Sequence, residues 1–162
     1  MSFTAPATWQ FWRPLNFAAT TTLVTTFWNY DWVVHAIGAI AHLLATYLIW
    51  RVLAALKASK QACAWGSILF LSCPIGFEAF LWSSAIATGV ATSMLLGSVL
   101  LYIRHARGEL SRAGCVAFTL LAGSIPLVNE QPAACLAALP LLAMAKRRED
   151  EPWRRTMWRA LT

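Results

Sequence analysis

Charge is so sparse in this chain that the charged residues serve as punctuation between long apolar runs. Trp32 to Trp50 carries no Asp, Glu, Lys or Arg, and neither does Gln61 to Phe77, Ala79 to Ile103, Ala113 to Asn129 or Gln131 to Ala145. A helix needs about 20 predominantly apolar residues to cross a bilayer, with a range of roughly 17 to 25. Four of the five runs reach that length, and the fifth is short enough to need tilt or local thinning. Only 12% of the 162 residues are charged and 59% are hydrophobic, with a mean hydropathy of +0.57. Soluble domains average about 25% charged residues, and disordered chains are polar and poor in aromatics. Composition therefore excludes both classes and leaves an integral membrane protein.

The fold expected is all-α: a polytopic transmembrane helical bundle of about five spanning helices, near 32–55, 61–80, 84–104, 112–129 and 131–146. Nothing alternates with the period of a barrel strand. Leu15 to Tyr30 is uncharged but rich in threonine, and Trp28, Tyr30 and Trp32 follow the threonines. That composition suits a short N-terminal helix at the membrane interface, opened by Pro14. No internal repeat stands out. Residues 147–162 form a basic tail in which Trp153, Met157 and Trp158 share one face among arginines. Solvated or laid on anionic headgroups, the tail reads equally well.

Orientation follows from alternate loops. Arg51, Lys57 and Lys60 separate the first two spans, Arg104, Arg107 and Arg112 separate the third and fourth, and Lys146, Arg147 and Arg148 follow the fifth. Shared positive charge assigns these loops and the C-terminus to the cytoplasmic side. Asp31, Glu78 and Glu130 fall on the other side. The net charge of +6 is thus read as topology and not as a nucleic-acid surface, which needs a solvated basic face with stacking aromatics. Residues 1–12 hold no basic residue and read as no signal peptide. The orientation then asks for a helix upstream of Arg13.

Ionisable and strongly polar residues at membrane depth are the candidates for function. His35 and His42 lie seven residues apart, two turns along one helix face. They are set to face a polar cavity or to hydrogen-bond a neighbouring helix; ligands on one helix are usually three or four apart, so no metal is expected. Glu78 follows Pro74 in SCPIGFEAFLWSS, where a proline kink would turn a short segment inward. A carboxylate there is suited to hold a metal, a cationic partner or a sugar hydroxyl, or to form an ion pair with Arg13 at the outer surface. Asn129, Glu130, Gln131 and Pro132 form a second polar break and follow Gly123, Ser124, Ile125 and Pro126, where the chain is expected to be broken; a tight outer turn and a ligand site explain the polarity equally well. The cysteines, Cys63, Cys73, Cys115 and Cys135, form no C-x-x-C pair and read as small apolar residues. P-loop, dinucleotide and triad motifs are absent, and no cofactor is expected.

The order of segments resembles a known superfamily. WRPLNF, a threonine-rich stretch, VVHAIGAIAH, CPIGFEAFLWSS, YIRHAR and NEQP follow one another over residues 11–146. This resembles the membrane part of GT-C-type glycosyltransferases, the superfamily of protein O-mannosyltransferases and bacterial lipid-linked sugar transferases. The nearest pattern is the TMTC-like one, with R-P-L, two histidines seven apart and H-P-x-x-x-E-x-x-x-W. Here these are Arg13-Pro14-Leu15, His35 with His42, and Pro74, Glu78 and Trp82. Cys73 stands where the pattern often has histidine, Ile86 marks the region of a missing arginine, and Asn129 replaces a lysine.

The resemblance implies a polyprenyl-phosphate sugar as the partner besides membrane lipid. Arg13 would offer a bidentate fork to its phosphate, and His35, His42, Glu78, Asn129 and Glu130 would line one outer cavity. Such enzymes activate the acceptor hydroxyl with an acidic residue in a first outer loop. No Asp or Glu precedes Asp31 here. The catalytic group is therefore unassigned, and the chain reads as an internal portion of a longer enzyme, a truncated product or a reduced paralogue. A bacterial inner membrane is the expected location. The alternative is a non-enzymatic membrane subunit, scaffold or small transporter. Small residues such as Gly38, Ala39 and Ala41 suit a partner subunit, while a transporter would show repeats and broken helices.

Overall fold

The computed structural model describes residues 14–26, 31–73, 86–129 and 135–136. All regular structure among the described residues is helical. Five helices follow in order: α1 (Pro14–Thr26), α2 (Asp31–Ala55), α3 (Lys60–Leu71), α4 (Ile86–Ala106) and α5 (Arg112–Val128). Two of them are long and apolar enough to cross a membrane, Trp32–Ala55 and Ile86–Ala106. Of the other expected spans, the second is described as helix only over the 12 residues from Lys60 to Leu71, and the fourth, expected over 112–129, is the helix Arg112–Val128, 17 residues long. The fifth, 131–146, and the tail lie outside the described residues, residues 135–136 excepted. The short helix expected near the N-terminus is α1, which opens at Pro14 and has 13 residues.

α4 packs between α2 and α5, α3 lies along α2, and α1 meets α5. The contact surfaces are built from small residues. Ala41 and Ala45 of α2 and Ala91 and Ser98 of α4 are buried, as is Gly38. The Ser93 hydroxyl of α4 donates to the Ala41 carbonyl at 2.9 Å and shares that proton with Gly89 of its own helix. On α3, a methyl group added to Gly66 would come within 2.7 Å of a Leu53 methyl on α2. Small residues allow backbones to approach this closely.

The large apolar side chains point the other way. Ile40, Leu43, Leu44 and Tyr47 make an exposed face on α2; Trp65, Ile68 and Leu69 do so on α3, and Val116 and Leu120 on α5. Ala91 is 0% exposed while Leu69 is 70% and Leu120 67% exposed. A soluble helical bundle buries its leucines and leaves small residues wherever they fall. Among the described residues here, the exposed large apolar side chains outnumber the buried ones, which are Ile86, Tyr102, Ile103 and Ile125. Threonines on the exposed side of α1 are internally satisfied: Thr22 donates to the Ala18 carbonyl and Thr25 to that of Thr21, each at 2.8 Å.

Two turns of the same design join the hairpins. After α2, Ala58 N–H donates to Leu53 and Lys57 N–H to Ala54, with Lys57 left-handed at φ 62°. After α4, Glu109 N–H donates to Arg104 and Gly108 N–H to His105, with Gly108 at φ 72°. Both are Schellman caps. Each following helix begins with a serine cap: Ser59 accepts from Ala62 N–H, and Ser111 from Gly114 N–H, both at 3.2 Å. Near the far ends, Ser72 bonds the Ile68 carbonyl and Ser124 that of Leu120.

These matched devices expose a repeat that the sequence reading missed. Ser59 and Ser111, Cys63 and Cys115, Ser72 and Ser124, Pro74 and Pro126, and Glu78 and Glu130 are each 52 residues apart. The second loop is one residue longer, which shifts the register of the preceding helices and hides the match. The hairpins α2–α3 and α4–α5 run in the same direction, because the guanidinium of Arg107, one residue past α4, bonds the carbonyl of Ala55, the last residue of α2. One further expectation is corrected. The chain is not broken between Gly123 and Pro126; α5 continues through Pro126 to Val128. Proline this near a C-terminus forfeits one helical hydrogen bond, to the Ala122 carbonyl, and the next turn still forms.

Candidate functional site

The parallel hairpins give the bundle two chemically different ends. Arg51, Lys57, Lys60, Arg104, Arg107 and Arg112 are all exposed at the end that carries both tight loops. Arg51 sits one turn beyond Tyr47, donating to its hydroxyl at 2.6 Å with its guanidinium 5.7 Å from the ring centre. The opposite end gathers the starts of α2 and α4, the end of α5 and the α1 helix. A cavity of about 360 Å³ lies there. Its wall is Leu15, Asn16, Ala19 and Leu23 of α1, Val34 and Ile37 of α2, Ile86, Ala87 and Val90 of α4, and Val128 of α5. Asn16 is the one amide among these aliphatic groups.

Asn129 stands directly after Val128 and Thr88 directly after Ala87. Asn129 is 2% exposed and caps α5, its backbone N–H donating to Ile125 at 2.9 Å. Its side-chain amide donates to the Thr88 hydroxyl at 3.1 Å. This bond ties the end of α5 to the start of α4 beside the cavity wall.

His42 takes another role. It is 5% exposed, its ring stacks on Phe70 with centroids 5.1 Å apart, and its Nε2 lies 3.2 Å from the Leu71 carbonyl. Leu71 ends α3, and the last carbonyls of a helix have no partner within it. His42 supplies one by donating from Nε2. His42 thus bonds a neighbouring helix, and it is not a wall residue of the described cavity. His35 is exposed two turns nearer the start of α2, on the same helix face as His42. Val34 and Ile37 line the cavity, and His35 is not among its wall residues.

Arg13, Glu78 and Glu130 lie outside the described residues. The expected site is therefore placed for His35, His42 and Asn129, of which Asn129 adjoins the cavity. Sequence reasoning missed Asn16 and Thr88. Thr88 lies in an unbroken apolar run, and only its partner marks it. Among the described residues no group of three His, Cys, Asp or Glu side chains is arranged to hold a metal. Comparison with known proteins returns no match to a family model, to a curated protein or to a solved structure.

Proposed function

We propose that this chain is a polytopic integral membrane protein with its basic loops in the cytoplasm, and that its opposite end receives a lipid-linked sugar of the polyprenyl-phosphate class. The observation that carries this reading is the apolar cavity among α1, α2, α4 and α5, with the Asn16 amide in its wall and the Asn129–Thr88 bond next to the wall residues Val128 and Ala87. An isoprenoid tail matches an aliphatic wall, and amide and hydroxyl groups match a sugar head. Arg13, the residue before α1, is the candidate partner for the phosphate. The outward leucines and the inward alanines and serines support burial in lipid, where contact surfaces are made of small residues and the exterior is apolar. Orientation rests on the clustering of six basic side chains at one end.

The test is direct crosslinking. A photoreactive polyprenyl-phosphate sugar, added to purified protein in detergent, should label peptides from α1 or the start of α4. Labelling should fall in Val90→Trp, which fills the cavity, and in Arg13→Ala. Equal labelling in both variants would remove this ligand class.

A second reading has its own observation. Two hairpins repeated in parallel orientation are the arrangement of transporters whose halves are related about the membrane normal. In that reading the chain is a small transporter or a membrane subunit without catalysis. Uptake of a sugar or lipid into proteoliposomes, abolished by Val90→Trp, would select it.

A further inference from the structure

The two hairpins place a cysteine at the same position, four residues after the serine cap, and they treat it differently. Cys63 is 2% exposed, and its thiol points to the Ala58 carbonyl at 3.9 Å. Cys115 is half-buried and faces an imidazole: its Sγ lies 3.9 Å from Nδ1 of His105 across the α4–α5 turn. In the first hairpin the position matching His105 is Ala54. The second hairpin thus adds a base and opens the thiol, while the first keeps an inert copy.

The surroundings define what such a thiol can meet. Arg104, Arg107 and Arg112 are exposed at this end. Beyond Cys115, α5 presents Val116 and Leu120, 59% and 67% exposed, as an apolar track leading away from the charged loop. Tyr102 packs on Phe118 with ring centroids 6.2 Å apart, in the same α4–α5 layer. The Tyr102 hydroxyl is buried and has no hydrogen-bond partner among the described residues. Cations, a thiol with its base, and an apolar track occur in that order. This is the order of parts in a long-chain acyl thioester of coenzyme A: anionic phosphates, a reactive carbonyl, an alkyl chain.

We infer that Cys115 is an S-acylation site, with His105 as the general base and a long-chain acyl-coenzyme A as donor. Juxtamembrane cysteines are suited to this modification. The thiol proton passes to His105 Nδ1 as Sγ attacks the acyl carbonyl carbon. A carbon–sulfur bond to Cys115 forms and the one to coenzyme A breaks. The imidazolium returns the proton to the departing thiolate, so nothing is oxidised or reduced. The acyl chain then lies along Val116 and Leu120, within the bilayer. In cells the donor is cytoplasmic, so the inference rests on the orientation proposed above.

Purified full-length protein in detergent is incubated with palmitoyl-coenzyme A and followed by intact mass and hydroxylamine sensitivity. The expected result is one hydroxylamine-labile palmitoyl group per chain, kept in Cys63→Ser and lost in Cys115→Ser and Cys115→Ala. His105→Gln should slow incorporation by about tenfold or more, with helix content unchanged by circular dichroism. Absence of labelling in the unaltered protein, or undiminished labelling in both Cys115 variants, would overturn the site. An unchanged rate in His105→Gln would overturn the role of the base. Acylation in detergent together with a Cys115 that takes impermeant maleimide only from the exoplasmic face keeps the thiol chemistry and overturns the orientation instead.

Discussion

Arg107 and Ala55, 52 residues apart, are joined by a hydrogen bond from the guanidinium to the backbone carbonyl. Ala55 closes α2, and its carbonyl is one of four left over at that helix end. Arg107 satisfies it from the loop after α4 and so locks the two basic turns side by side. Replacing Arg107 with Ala should lower stability by about 0.5–1.5 kcal/mol, read from the thermal unfolding midpoint in detergent. Arg107→Lys should recover only part of this, because lysine lacks the planar fork.

The turns themselves give an opposed pair of expectations. Lys57 occupies a left-handed position at φ 62° that glycine occupies in the second turn, at Gly108. A β-carbon makes this conformation unfavourable by about 1 kcal/mol. Lys57→Gly should therefore stabilise the protein by about that amount, and Gly108→Ala should destabilise it similarly. Both are measured by denaturant or thermal unfolding in the same detergent.

Close packing of α3 on α2 sets a steric expectation. A Cβ on Gly66 meets only the end of the flexible Leu53 side chain, so Gly66→Ala should be accommodated by a rotamer change. Gly66→Leu inserts more volume than that adjustment provides and should cost about 1–3 kcal/mol. Cysteine crosslinking between α2 and α3 would report the separation.

His42 should behave as a structural residue. His42→Ala removes the donor to Leu71 and leaves that carbonyl unsatisfied, at a cost of about 1–3 kcal/mol. Labelling by the lipid-linked sugar probe should persist in the folded fraction. Loss of labelling without loss of stability would place His42 in the ligand site after all.

Much of the helical framework was legible from charge alone. Arg51 and Lys60 bracket the first turn, Arg104 and Arg112 the second, and Pro14 opens α1. Helix ends were less legible where main-chain atoms decide them. His42 finds its partner in the Leu71 carbonyl, which is the same atom in every residue type and leaves no trace in sequence. The repeat was hidden because its matching positions are caps and helix-end serines, scattered through otherwise interchangeable apolar residues, and the extra loop residue moves the helices before each turn to a different offset. Pro126 was read as a break because the sequence does not tell that only two further residues of helix follow it. At the candidate site, Asn129 was found from its polarity, whereas Thr88 looked like any threonine in an apolar run until its hydroxyl was seen to accept from Asn129.

The central claim is that both tight turns emerge on the cytoplasmic side of a membrane. Single cysteines placed at Lys57 and at Gly108, in a background otherwise free of cysteine, can be probed with impermeant maleimide in right-side-out and inverted vesicles. The expected result is that both react only in inverted vesicles. Reaction of the two from opposite faces would break the parallel hairpins, and reaction of both in right-side-out vesicles would reverse the proposed orientation and remove the proposal of an exoplasmic ligand site.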